Sequence, residues 1–199
     1  MLRIFSIVSF ALAVGLGLSL SHVVQAGEDP SPQELPKDFM KNDKLQKTRG
    51  EVHARYAKQV GKWKVTSKWN PMYSTTVDTA MVNMKLTLDG NFLISEGAGS
   101  QMGAPIKTFG IYGYDTLAKE YIAINLNNQY TASYEMRGKM RKDGVIEYKG
   151  MMVDAMTPAG RPYKVEEITH SEDKFEIAIY SGVGPQAVKL LTMMHERVK

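Results

Sequence analysis

The sequence predicts an all-β fold: one antiparallel up-and-down barrel of about 8–10 strands, preceded by an N-terminal amphipathic helix. The first observation is the run from Tyr130 to Met140. There Tyr130, Ala132, Tyr134, Met136, Gly138 and Met140 alternate with Thr131, Ser133, Glu135, Arg137 and Lys139. A two-residue period puts one face against a core and the other in water. The second is that similar runs recur from Lys62 to the C-terminus, joined mostly by short polar turns, with no helical pattern between them. Consecutive hairpins favour a meander over a Greek-key sandwich, which needs long crossings. Closure then removes the exposed edges of such a sheet. The third is the four-residue spacing of Val52, Tyr56 and Val60, found ahead of the first strand.

Residues 1–26 read as a signal peptide. Met1-Leu2-Arg3 gives a short positive start, Ile4 to Leu20 is apolar and broken only by Ser and Gly, and Val24-Gln25-Ala26 offers small residues for cleavage. An uncleaved membrane anchor is the competing reading. The polar, proline-containing Gly27-Glu28-Asp29-Pro30 favours cleavage, and with it an exported protein, periplasmic or secreted, with no stable membrane span. Residues 27–38 are expected as a disordered leader. Residues 39–60 are expected as an amphipathic helix, helical at least from Glu51 to Val60, with Gly50 an interruption and Gly61 a natural stop. Such a helix would cover one mouth of the barrel or lie outside it.

The barrel, residues 61–199, begins with Trp63 to Trp69, where Trp63, Val65, Ser67 and Trp69 share a face. Thr76 to Leu88 follows, with Ala80, Val82, Met84, Leu86 and Leu88 on one face, and Asp89-Gly90 turns it into Phe92 to Glu96. Gly97 to Ser100 and Gly103 to Pro105 are expected as a flexible loop. Further strands are Ile106–Asp115, Glu120–Asn127, the Tyr130 run, Val145–Val153, Tyr163–His170, Phe175–Ser181 and Val188–Arg197. Thr157 to Gly160 is expected as a loop.

Composition narrows the class. The chain has no cysteine, which excludes disulfides, thiolate metal sites and a lipid anchor on a post-cleavage cysteine. About 173 residues would remain after cleavage, ample for one domain, and stability must come from buried apolar surface. The net charge of +4 includes Arg3, and acidic and basic residues are interspersed, as in Lys164, Glu166 and Glu167. Without a basic cluster and interleaved aromatics, nucleic acid is not the expected partner, and a solvated mixed-charge surface is.

Three features together resemble a known family: a helix entering Gly61-Lys62-Trp63, then Gly110-Ile111-Tyr112-Gly113-Tyr114-Asp115, then Glu120-Tyr121-Ile122. The arrangement is similar to the bacterial domain-of-unknown-function family 1579, whose members look like lipocalins, over roughly residues 48–198. The resemblance implies a lipocalin-like (calycin-type) barrel and no assigned reaction or ligand. The motif also has a physical reading. Gly61 allows a tight turn from helix to strand, Trp63 would close the barrel's base, and Gly110 and Gly113 suit close approach by a neighbour.

Candidate chemistry is sparse. His53, His170 and His195 show no metal-ligand spacing. Related barrels that bind haem use one pocket histidine, so by analogy His195 is an axial-ligand candidate, against the plainer reading of a surface or hydrogen-bonded side chain. No Gly-x-Ser-x-Gly is present. Glu135 and Glu147 fall on wet faces. Twelve methionines follow Met1, among them Met81, Met84, Met102, Met136, Met140, Met151, Met152, Met156, Met193 and Met194. They fill a core or line an adaptable apolar pocket. The expected function is binding of a small apolar or amphipathic molecule among Trp63, Tyr112, Tyr130, Tyr134, Met136 and Tyr148, with no catalytic residue, metal or cofactor assigned. An enzyme with an unrecognised site and a ligand-free interaction module are the alternatives.

Overall fold

A computed structural model describes residues 36–154 and 157–199. The expected signal segment 1–26, residues 27–35 of the expected leader, and Met156 lie outside the described residues. Two short helices lead into the sheet: α1 (Phe39–Lys47) and α2 (Glu51–Gln59). The single helix expected over 39–60 is thus divided at Thr48–Gly50. Gly50 caps α2, its N–H donating to His53 Nδ1 at 3.2 Å. Gly50 is extended (φ −126°, ψ −166°), which ends the helical path between α1 and α2.

Ten strands follow: β1 (Gly61–Trp69), β2 (Val77–Thr87), β3 (Phe92–Gln101), β4 (Ala104–Asp115), β5 (Glu120–Asn127), β6 (Tyr134–Met140), β7 (Ile146–Asp154), β8 (Thr157–Ser171), β9 (Lys174–Ser181) and β10 (Val188–Arg197). Each pairs antiparallel with the next. β1 also pairs with β10, from Trp63 opposite Arg197 to Trp69 opposite Leu191, so the sheet is a closed barrel. This is the predicted up-and-down barrel, with strands at the upper end of the expected number. Among the described residues no helix is long and apolar enough to cross a membrane.

Two expected loops are strand. The glycine-rich segment 97–105 continues β3 and β4, joined by a two-residue turn at Met102-Gly103 with both φ positive (51° and 78°). Gly97 and Gly99 lie within β3 because neighbours occupy the space of a side chain. A Cβ on Gly97 would come within 2.5 Å of Thr108 Oγ1, and one on Gly99 within 2.5 Å of Ala80 Cα. Residues 157–160 likewise belong to β8. The β2–β3 turn is wider than Asp89-Gly90 and takes in Leu88, whose φ is positive (49°), so Leu88 leaves the apolar face of β2.

Alternation sorts the side chains. Trp63, Leu93, Tyr121, Ile146, Tyr148 and Phe175 point inward and are buried together with Tyr56 of α2. This packed layer forms the floor at the end of the barrel where α2 enters β1. Trp63 lies across it, its edge against Phe175 at 4.9 Å between centroids, with the Arg197 guanidinium stacked 4.2 Å from its ring.

Candidate functional site

The interior falls into two halves. At the floor, α2 is fastened by Tyr56, whose hydroxyl donates to the Gly113 carbonyl at 2.8 Å, and by the Trp63 indole, which donates to the Gln59 carbonyl at 2.9 Å. Glu167 of β8 points inward, only 5% exposed. One carboxylate oxygen accepts from Arg55 at 2.9 Å and from Gln59 at 2.8 Å, both on α2. Arg197 completes the fastening. It donates to the carbonyls of Val60 (2.7 Å), Lys58 (2.6 Å) and Glu172 (3.0 Å) and to the Asp173 carboxylate (2.8 Å). A carboxylate held this way locks a helix and offers no free base.

Above the floor the wall is only half-buried. Ile177 and Ile179 of β9, Met193 of β10, Tyr134 and Met136 of β6 and Tyr112 of β4 all sit on the inward face by register, and each retains solvent contact. These side chains line the less tightly packed half of the barrel, away from α2, here termed the cup. Its wall is shaped by tyrosines lying over glycines. A Cβ on Gly110 would come within 2.7 Å of the Tyr112 hydroxyl, one on Gly138 within 2.9 Å of the Tyr148 ring, and one on Gly150 within 2.7 Å of the Tyr163 ring. Bare glycine backbone beneath each ring lets a large aromatic lie flat on the wall instead of filling the barrel.

The cup's polar groups are few. The Tyr112 hydroxyl donates to Asn125 Oδ1 at 2.8 Å, and the Tyr163 hydroxyl donates to the Glu135 carbonyl at 3.3 Å. The Tyr148 hydroxyl is buried with no hydrogen-bond partner among the described residues. Burial first, and then the Glu167 charge, hold that phenol well above its ordinary pKa, so it stays protonated. At the open end Asp78 of β2 is buried. It accepts from the backbone N–H of Met102 (2.7 Å) and Gly103 (3.0 Å) and from the Trp69 indole (3.2 Å). Burial alone would raise its pKa, but these donors outweigh it and the carboxyl lies below its usual value. On the outer wall, a depression of about 380 Å³ lies among Ile122, Ile124, Glu135, Arg137 and Lys149. Another, of about 580 Å³, lies among Met81, Asn83, Glu96 and Lys107. Both sit between outward side chains, away from the interior.

The structure brings together Tyr112, Tyr134, Met136 and Tyr148 and separates the other two residues of the expected pocket. Trp63 is floor, sealed beneath α2. Tyr130 is a correction: β6 begins only at Tyr134, and Tyr130 lies in the preceding loop, 52% exposed. Asn127 Oδ1 accepts the backbone N–H groups of Gln129 and Tyr130, so the chain turns before the alternation can continue as strand. His195 is neither on the surface nor hydrogen-bonded through Nδ1. It is buried, stacked on Phe175 with centroids 4.2 Å apart, and burial lowers its pKa to about 4. One ring face is covered by Phe175, and Nδ1 is buried in the packed floor.

Glu167 and the inward isoleucines were missed by the sequence reading. Their signal was present: Tyr163, Val165 and Glu167 share one phase of β8, and Phe175, Ile177 and Ile179 share one phase of β9. The adjacent charges Lys164 and Glu166 drew Glu167 into an apparent surface run.

No curated protein matches this chain. Among solved structures, the chain is similar to an S-type phycobiliprotein lyase from Guillardia theta, at 11% identity and a TM-score of 0.48, over 79% of this chain and 97% of that one. The family model described as "Protein of unknown function (DUF1579)" matches residues 48–199, and the chain belongs to that family.

Proposed function

We propose that this protein is exported and that the open half of its barrel holds one small apolar or amphipathic molecule. The observation that carries this reading is the solvent contact kept by inward-facing Ile177, Ile179, Met136 and Met193, on a barrel whose other half is packed solid. An apolar wall with a few fixed polar groups is the usual chemistry of a binding pocket. Tyr112 with Asn125 supplies a hydrogen-bonding pair on the wall, and Tyr134 and Met136 supply adaptable apolar contact. Tyr148 underlies them at the floor. A molecule long enough to reach from floor to mouth would expose its polar end at the mouth, beside Arg161 and Ser181, which are joined at 3.2 Å.

The test is direct. The purified protein is screened by native mass spectrometry for a co-purified small molecule and by thermal shift against a panel of fatty acids, isoprenoids and aromatic amphiphiles. The reading expects a bound mass or a concentration-dependent rise in Tm that Ile179→Asn abolishes. No bound mass and no shift across the panel would defeat it. Export is checked separately, by cell fractionation and N-terminal sequencing of the mature protein for cleavage after Ala26.

A further inference from the structure

An up-and-down barrel sends alternate connections to opposite ends, and here the two ends differ in kind. The described connections at the open mouth are 70–76, 102–103, 128–133 and 182–187, and none of them contains a charged residue. Each carries an exposed apolar or aromatic tip: Met72 (84% exposed) and Tyr73 in the first, Met102 in the second, Tyr130 in the third and Val183 in the fourth. The connections at the α2 end are 88–91, 116–119, 141–145 and 172–173, and every one carries charge. Just behind the apolar rim, on the outer wall, Lys68 of β1, Lys107 of β4 and Lys189 of β10 are exposed. The carboxylates of that zone offset them only in part. Asp78 is buried and hydrogen-bonded, Asp154 is paired with Arg161 at 3.0 Å, and Glu135 stands exposed.

We propose that this rim docks on the surface of an anionic lipid bilayer, with the loop tips in the interfacial region and the lysine collar at the headgroup phosphates. Tyrosine and methionine tips backed by lysines have the chemistry of a membrane interface, where amphipathic rings settle and basic side chains meet anionic lipid. The arrangement suits a bilayer better than a rigid protein face. The tips are spread one or two to a loop around an open mouth, and a flat partner would leave the cup void beneath it, whereas headgroups and chains deform to fill a ring. The sequence spaces the three lysines far apart, and barrel closure gathers them at one end. A docked mouth would also let an amphiphile pass between bilayer and cup without crossing water. That corollary rests on the ligand reading; the docking does not.

The absence of cysteine makes the test clean. Single variants Met72→Cys and Tyr130→Cys at the rim, and Leu117→Cys at the opposite end, are labelled in the full chain with a polarity-sensitive fluorophore. They are mixed with vesicles of phosphatidylcholine, with or without phosphatidylglycerol. The proposal expects a blue shift of both rim labels with phosphatidylglycerol vesicles, weakened by added salt, and none at position 117. The combined variant Lys68→Gln, Lys107→Gln, Lys189→Gln should raise the lipid concentration for half-shift by on the order of a hundredfold, at about fivefold per lysine. Because the comparison is by position, tethering through the apolar segment 4–20 does not imitate it. The proposal is overturned if the rim labels stay in water, if position 117 shifts equally, or if phosphatidylglycerol makes no difference. A shift that appears without vesicles as protein concentration rises would overturn it in favour of a second copy on the rim.

Discussion

His195 Nδ1 and the Tyr148 hydroxyl are both buried without a partner among the described residues, yet pH acts on them differently. His195 has its pKa lowered to about 4, so in acid the unfolded chain takes up a proton that the folded chain refuses. Stability is therefore unaffected by this residue above about pH 6.5 and falls as pH drops from there towards 4, by roughly 3 kcal/mol in all. Asp78 acts in a lower window. Its folded pKa is depressed, so its contribution is present above the unfolded carboxylate value, near 3.9, and is lost as pH falls through the folded one. Urea denaturation of His195→Leu should then show a flatter dependence between about pH 6.5 and 4 than the parent, with the steeper loss below about pH 4 retained. Tyr148 gives the complementary case. Removing an unpartnered buried hydroxyl costs nothing, so Tyr148→Phe should be at least as stable as the parent. Tyr56→Phe deletes the bond to Gly113 and should lose about 1 kcal/mol. The two phenylalanine variants, compared by chemical denaturation, test the assignment of those hydroxyls directly.

The second helix is an element defined more by its fastening than by propensity. Arg55 and Gln59 reach Glu167 on the opposite strand wall, and Arg197 takes the carbonyls at the helix's C-terminal end. Arg55→Ala should cost on the order of 2–3 kcal/mol by leaving Glu167 with Gln59 alone, less than a wholly buried pair because Arg55 keeps some solvent contact. Adding Glu167→Leu should recover part of that loss, a coupling readable in a double-mutant cycle. At this scale the sequence was an uneven guide. The alternation of Trp63, Val65, Ser67 and Trp69 on β1, and the limits of β5 and β10, could be read directly, because runs rich in apolar residues are bounded there by polar or glycine-containing turn segments. Segment 97–105 could not, because glycine is ambiguous between a loop that needs freedom and a strand that a neighbour approaches closely. Only the packing of Thr108 and Ala80 against Gly97 and Gly99 decides it. Tyr130 failed for the opposite reason: its alternation was perfect, but Asn127 turns the chain before pairing begins.

At the scale of the whole barrel, the proposed function asks one continuous sheet to serve two tasks that compete for the same volume. A packed half supplies stability in a chain without disulfides, and the other half would give up packing to keep room for a guest. The division follows from where the bulky inward residues lie: Trp63, Leu93, Tyr121 and Phe175 crowd the end where α2 enters, while Met136, Ile177, Ile179 and Met193 farther along stay half-buried. The barrel was legible as a class, but which inward residues stay half-buried was not, since that depends on register across the closure. This division makes stability and binding separable by mutation. Trp63→Ala should cost about 3–5 kcal/mol, because the Phe175 edge contact and the Arg197 stacking are lost along with the buried ring. At temperatures where that variant stays folded, its ligand affinity should be close to the parent's. Ile179→Asn lies on the half-buried wall and should cost about 1–3 kcal/mol, less than Trp63→Ala, while abolishing the ligand-induced rise in Tm. Denaturation and calorimetric titration of both variants settle the matter. If Trp63→Ala lost affinity in proportion to stability, or Ile179→Asn kept its thermal shift, the two halves would be a single cooperative core and the cup would not be a site.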